Sequence, residues 1–172
     1  MKALARIADA EVSRMTGKAA IAEANVNAAT GLSTDYLNHF NEAIMLLDMI
    51  PAMPECAIEL AAWRPLTYCQ HFAASHLRHR TLIIAAYEAA DPYRRGFFDT
   101  ICGAMNRIVL MAQDALCADD PSEPADAFAL EAARRLKALA AQANAVIHGF
   151  AGEAGGATMQ EAQATIDDIL VR

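Results

Sequence analysis

Residues 92–117 read PYRRGFFDTICGAMNRIVLMAQDALC, and this stretch decides the fold class. Its apolar residues recur at three- and four-residue spacing, so they share one broad helical face. These residues are Phe97, Phe98, Ile101, Ala104, Met105, Ile108, Val109, Ala112 and Leu116. Polar side chains such as Asp99 and Arg107 lie on the opposite face. Asp91 and Pro92 supply a capping residue and a proline in the first turn, which predicts a long amphipathic helix from 92 to about 117.

The composition of the whole chain agrees with a helical protein. Of the 172 residues, 40 are alanine and only five are valine. Alanine loses no side-chain entropy in a helix, whereas β-branched residues dominate strands. Hydrophobic residues make up 55% and charged residues 20%, which excludes a chain that is disordered along its length.

Local signals predict several further helices. Ser33 or Thr34 caps the first strong one, and Thr67 with Gln70 forms a capping-box pattern for another, which we expect to bend near Ser75. Besides 92–117, the predicted helices cover 34–50, Pro54 to about Trp63, 68–90, the end of the 119–124 linker to about Phe150, and a last segment opened by Thr158 and Glu161. The sequence therefore predicts one all-α domain over 1–172, an up-down bundle of five to seven helices with short connections. Residues 1–30 are predicted as a peripheral or partner-packing helix.

The charge balance limits the classes of partner. Fourteen basic and 21 acidic residues give a formal net charge of −7, which repels phosphate backbones and argues against a nucleic-acid partner. The longest apolar run, near Ala43 to Ile50, is much shorter than a membrane span, so no membrane partner is expected. Charges such as Arg6 and Asp9 interrupt the first residues, so we expect no signal peptide.

Four widely spaced cysteines form no CxxC pair. Such cysteines are typical of free thiols in a reducing compartment, which favours a cytoplasmic protein. A disulfide pair or a thiol-based sensor remains the alternative.

The predicted helix 34–50 is apolar on two faces. Leu37, Phe40 and Ile44 hold one face, whereas Met45 and Met49 lie on the opposite one. A helix of this kind is either central in a bundle or shared with a partner. Because methionine adapts to varied surfaces, the second interpretation predicts a homodimer through Met45 and Met49.

Unusual polar residues concentrate on two of the predicted helices. If helix 68–90 is continuous, His76 and His79 lie three residues apart on its inward face. The first half of helix 34–50 carries a matching polar set, so we expect a polar pocket between the two helices. Its predicted residues are Tyr36, Asn38, His39, Glu42, His76, His79, Arg80 and Arg94.

The contents of this pocket stay open at the level of sequence. His39, Glu42, His76 and His79 are residue types that bind a transition metal, which would suit a metal-dependent enzyme or a metal-binding protein. Arg80 and Arg94 instead suit an organic or anionic small molecule held by a binding or regulatory protein. The histidines could also be purely structural, with the protein serving as an interaction module. No nucleophile elbow or phosphate-binding loop favours a particular reaction, so whether the protein is an enzyme stays undecided.

Residues 34–80, TDYLNHFNEAIMLLDMIPAMPECAIELAAWRPLTYCQHFAASHLRHR, contain most of these features. This stretch resembles a small family of all-helical bacterial proteins. The resemblance covers about the middle third of the chain. It implies a helical fold and no particular activity.

Overall fold

The computed structural model describes residue 17 and residues 19–117 and 125–149. Within these ranges the chain forms a 3-10 turn over Thr34–Tyr36 and six named α-helices. The helices are α1 (Leu37–Met49), α2 (Cys56–Ala62), α3 (Tyr68–Ala74), α4 (Arg80–Glu88), α5 (Pro92–Leu116) and α6 (Ala125–Ile147). The described residues contain no strand beyond an isolated bridge between Val26 and Ser33. The predicted all-α fold is confirmed.

The core lies between the two long helices and α1. Helix α6 packs on both α5 and α1, and α1 also packs on α2. Helices α1, α5 and α6 each contribute completely buried side chains, among them Phe40, Leu47, Phe98, Met105 and Leu136. Helix α1 is therefore central, as its two apolar faces indicated, although Met45 on its outer side is 53% exposed.

Local capping signals set several helix starts. The Asp91 side chain accepts a hydrogen bond from the Arg94 amide at 2.8 Å and begins α5. Thr67 and Gln70 exchange the two bonds of a capping box, at 2.9 and 3.2 Å, and begin α3. Ser33 caps the 3-10 turn that leads into α1 rather than the α-helix itself. The predicted helix starts at Asp91 and at Thr67 with Gln70 are confirmed, and each depends on residues within three positions of one another.

The prediction of one helix over 68–90 with a bend near Ser75 is wrong, because the chain forms two separate helices there. Helix α3 stops at Ala74, Ser75 adopts an extended backbone with ψ 157°, and α4 starts only at Arg80. The Ser75 hydroxyl donates a 2.8 Å hydrogen bond to the Phe72 carbonyl, which satisfies a group at the end of α3. The shared inward face of His76 and His79 depended on continuity and is lost, and His76 is exposed.

The loop before the 3-10 turn joins separate parts of the bundle. Thr30 Oγ1 donates a buried 2.7 Å hydrogen bond to the Ile147 carbonyl at the end of α6. The Ser33 amide donates to the buried Tyr68 hydroxyl at 2.9 Å. Gly31 has φ +74°, and a Cβ at this position would lie 2.6 Å from the Ala86 carbonyl oxygen of α4. Glycine is therefore required here for both its conformation and its size.

Several predicted features lie outside the described residues. These are the 119–124 linker, the region near Phe150, the helix opened by Thr158 and Glu161, and most of the 1–30 segment. The single-domain assignment over 1–172 stays a prediction. No helix in the described ranges is both long enough and apolar enough to cross a bilayer.

Candidate functional site

The candidate site is built around the contact between α1 and the end of α2. The imidazole of His39 stacks on the indole of Trp63, with ring centroids 4.4 Å apart and planes 20° from parallel. The indole Nε1 of Trp63 donates a 3.0 Å hydrogen bond to the His39 carbonyl oxygen. The same two residues are therefore joined through their rings and through the backbone of His39.

The end of α2 is shaped by residues 63–65. Trp63 leaves the helix with an extended ψ of 141°. Pro65 disfavours helical backbone at the preceding residue, Arg64, so the helix does not resume there. The amide of Gln113 on α5 donates to the carbonyls of Leu60 and Trp63, at 2.7 and 2.8 Å. The Leu60 carbonyl also accepts from the Trp63 amide at 3.0 Å, and the Trp63 carbonyl also accepts from Arg64 Nη1 at 2.8 Å. Gln113 therefore adds a second donor to each carbonyl from a distant helix.

A group of aromatic side chains lies behind His39. The rings of Tyr36 and His71 are centred 5.5 Å apart, and those of His39 and His71 5.7 Å apart. The buried Tyr36 hydroxyl donates a 2.6 Å hydrogen bond to the Leu66 carbonyl. The break after α3 lets His71, rather than His76, approach His39.

Both histidines of this group favour the neutral form. Burial lowers the pKa of His39 and the nearby His71 lowers it further, while the backbone of Arg64 acts in the opposite direction. Burial also lowers the pKa of His71, partly offset by Asp35. Burial raises the pKa of Tyr36, so its hydroxyl keeps its proton and remains a donor.

A cleft of about 300 Å³ opens beside this group. It is lined by His39, Glu42, Glu59, Ala62, Trp63, Arg64 and Leu66. The His39 Nε2 atom is buried and has no hydrogen-bond partner in the described part of the protein. Two other buried side-chain atoms share this property, Asn106 Oδ1 and Gln142 Oε1, and neither residue lines the cleft.

The charged groups of the cleft come from both of its sides. Glu42 projects from α1 and Glu59 from α2, and neither carboxylate has an ion-pair partner in the described ranges. Arg64 Nη1 donates to the carbonyls of Ala61 and Trp63, at 2.6 and 2.8 Å. The guanidinium is therefore held at the end of α2.

The predicted pocket residues separate into two groups. Tyr36, His39 and Glu42 belong to the cleft or to the aromatic group behind it. Asn38 is exposed on α1. The other predicted residues, His76, His79, Arg80 and Arg94, do not line the cleft.

These four residues have other surroundings. His76 is exposed, and His79 Nε2 lies 3.6 Å from the Glu23 carboxylate. Arg80 is exposed and donates to the Ser75 carbonyl at 3.0 Å. Arg94 is half-buried, and its backbone amide donates to the Asp91 side chain.

The predicted metal set is not assembled. Within the described ranges, no three His, Cys, Asp or Glu side chains lie together in a way that could hold one metal ion. His39 and Glu42 line the cleft, whereas His79 pairs with Glu23 and His76 faces solvent. The reason is the break at Ser75, which removes the helical register that would have aligned the histidines. All four cysteines are free thiols.

Sequence reasoning missed Glu59, Trp63, Arg64, Leu66 and His71. A helix that continued through Ser75 would have turned His71 away from His76, and the break at Ser75 removes that restriction. Arg64-Pro65 was a usable signal, because a residue before proline favours extended backbone and turns the chain away from α2. No signal of similar strength marks Glu59.

The chain was compared with known proteins by sequence and by structure. No family model, curated protein or solved structure matches it.

Proposed function

We propose that this protein is a ligand-binding module whose site is the cleft between α1 and the end of α2. The supporting observation is that His39, a residue of the cleft lining, has a buried Nε2 atom without a hydrogen-bond partner in the described part of the protein. Buried polar groups in native proteins are nearly always hydrogen-bonded, so an exception next to a cavity favours a missing ligand. A ligand donor or acceptor that reaches this nitrogen after a small adjustment of the ring would satisfy it.

One side of the cleft is held in place by hydrogen bonds to the backbone. Tyr36 and Trp63 are buried and hydrogen-bonded to backbone carbonyls, so the wall is already organised before a ligand arrives. Such preorganisation lowers the entropic cost of binding. A cytoplasmic location is part of the proposal and is supported by the four free cysteines.

The test uses Trp63, the only tryptophan of the chain, as a reporter. Its emission is recorded while a panel of small polar metabolites (amines, amino acids, carboxylates and sugars) is titrated into the protein. We expect a saturable change with at least one class. Ala62→Phe, which fills the cleft, should abolish that change.

The matched control is Ala73→Phe, at an exposed alanine on the equally short α3. This variant should respond like the unmodified protein. A panel without any response, or a response that survives Ala62→Phe, would refute the proposed site.

Homodimer formation is a second proposal. It is supported by exposed apolar side chains on two helices, α1 and α2, that follow one another in the chain. Met45 on α1 is 53% exposed and Ile58 on α2 is 75% exposed, whereas Met49 is half-buried against the core. A single exposed apolar residue is common and needs no explanation. Met45 and Ile58 are both exposed on helices that pack against each other, and this combination favours an interface. The test is the oligomeric state of a Met45 variant, described below.

A further inference from the structure

A basic segment follows the break at Ser75. It consists of residues 76–80, HLRHR, which connect α3 to α4 and include the first residue of α4. Four of its five residues are exposed, all except His79, which is half-buried. None of the five lines the cleft between α1 and α2. The basic segment is therefore a surface separate from the proposed ligand site.

The charge of this segment is opposite to that of the chain as a whole. The formal net charge is −7, yet the chain contains no Asp or Glu between Glu59 and Glu88, a stretch with three arginines and three histidines. All 21 acidic residues thus lie outside the stretch that contains the basic segment. Positive charge is concentrated here on an otherwise acidic protein.

The arginines of the segment are not neutralised by carboxylates of the described residues. Arg78 has no hydrogen-bond or ion-pair partner there, and Arg80 donates to the Ser75 carbonyl at 3.0 Å. The acidic contact of the segment is Glu23, 3.6 Å from His79 Nε2, and the Glu23 side chain is itself 67% exposed. Two guanidinium groups therefore remain available to an external anion.

Leu77 places an apolar side chain among these charges. It is 42% exposed and lies between His76 and Arg78 in the chain. A single exposed leucine needs no explanation by itself. Next to an unpaired arginine, however, it would be covered by the same partner that neutralises the charge. The segment thus offers both a charged and an apolar contact to one partner.

We propose that the basic segment binds a short acidic segment of a partner protein. Arg78 and Arg80 would contact its carboxylates, and Leu77 would pack on an apolar side chain between them. Arginine suits this role because its planar fork of N–H donors matches the geometry of a carboxylate. The opposite charges of the two surfaces would also favour their encounter.

The small extent of the basic segment favours a short partner over a long polyanion. A membrane surface or a nucleic acid carries negative charge over an area wider than five residues, so it would also approach the acidic remainder of the protein. A short acidic segment needs to approach only residues 76–80. Repulsion from more distant acidic groups is then weak, because charges in water are screened beyond about 8 Å at physiological ionic strength.

The probe is a fluorescein-labelled peptide of sequence DEDLDED, whose anisotropy is measured as the protein is added at low ionic strength. We expect saturable binding that weakens as salt is added. The neutral peptide NQNLNQN should not bind. The peptide DEDGDED, which lacks the apolar side chain, should bind more weakly than DEDLDED if Leu77 contributes to the contact.

Two variants of the basic segment have matched controls on α5. Arg78→Gln and Leu77→Ala should each weaken binding of DEDLDED by about fivefold, through the loss of one exposed charge contact and of one apolar contact. Arg107→Gln and Leu110→Ala replace an exposed arginine and a leucine that is 39% exposed, so they should leave the affinity unchanged.

Three outcomes would overturn the proposal. The first is the absence of saturable binding to DEDLDED. The second is binding that the variants of the basic segment change no more than their controls do. The third is tighter binding to phosphatidylserine vesicles or to a single-stranded oligonucleotide than to the peptide, weakened by Arg78→Gln, which would assign the surface to a membrane or to a nucleic acid instead.

Discussion

His39 and Trp63 hold each other in place, since their rings stack with centroids 4.4 Å apart while the indole nitrogen donates to the His39 carbonyl. The stack brings one end of α2 against the first half of α1, and the cleft opens beside it. The only tryptophan of the chain thus reports directly on the ring that we place at the centre of the site.

Acid should destabilise the protein through this histidine and its neighbour. The pKa values of His39 and His71 are lowered from 6.5 in the folded state, so the unfolded chain binds more protons just below that pH. Stability should therefore be complete above about pH 6.5 and should fall as the pH drops through the lowered folded pKa values. Chemical denaturation between pH 8 and pH 5 measures this trend. Stability that is flat or rises on acidification down to pH 5 would contradict it.

The coupling between the two imidazoles can be measured separately. His71→Gln removes a neighbour that lowers the pKa of His39, so the His39 pKa should rise in an NMR titration. His148→Gln is the matched control, because His148 is exposed near the end of α6 and should have no effect on His39. An unchanged His39 pKa in His71→Gln would show that the rings do not interact electrostatically.

Gln113 should contribute to stability by connecting α5 to the end of α2. Gln113→Leu removes one donor from each carbonyl, although the Leu60 carbonyl keeps the Trp63 amide and the Trp63 carbonyl keeps Arg64 Nη1. We therefore expect a loss of about 1 kcal/mol of unfolding free energy. Gln142→Leu is the comparison variant. The Oε1 atom of Gln142 is buried without a hydrogen-bond partner in the described residues, so replacing this side chain should be neutral or stabilising. Urea denaturation of both variants tests the difference. Equal losses would mean that the bridge to α2 has no special role.

Two glycines should respond in opposite directions to alanine. At Gly31 a Cβ would meet the Ala86 carbonyl at 2.6 Å in a backbone with φ +74°, so Gly31→Ala should cost about 2 kcal/mol or more. At Gly96 in α5 an added Cβ meets nothing within 4 Å, so Gly96→Ala should stabilise by about 0.5–1 kcal/mol. Thermal unfolding of the two variants measures both effects. A tolerated alanine at position 31 would contradict the close packing of this loop on α4.

Much of the fold could be predicted because its signals are local. The apolar face of α5, the Asp91 cap and the Thr67–Gln70 capping box each depend on residues within a few positions of one another. The break at Ser75 has no proline or glycine beside it. The sequence therefore predicted only a bend near Ser75 and not a break. The break is stabilised by a serine hydroxyl that bonds to the preceding turn.

The candidate site was harder to predict because tertiary contacts assemble it. The sequence placed His39 and Glu42 in a polar pocket, and the structure places both in the wall of the cleft. Their actual neighbours come from α2 and the segment that follows it, including Glu59 and Trp63, rather than from His76 and His79. No local pattern indicates that Gln113 reaches Trp63 from 50 residues away.

The proposed dimer gives a distinct prediction for Met45. Light scattering coupled to size exclusion should detect a dimer for the unmodified protein at micromolar concentration and a monomer for Met45→Glu, because a charge would be buried in the interface. Met111→Glu is the matched control, since Met111 is exposed to a similar extent on α5, at 52%. A monomeric unmodified protein, or equal dissociation by both variants, would argue against an interface at Met45.

The most direct measurement for the central claim is an NMR titration of ¹⁵N-labelled protein with the metabolite panel. It follows the ring nitrogens of His39 and the indole N–H of Trp63, which lie in one wall of the cleft. We predict that a binding compound shifts these signals together and that Ala62→Phe removes the response. Shifts confined to residues away from the cleft, or no shift with any compound, would contradict the assignment of this cleft as the ligand site.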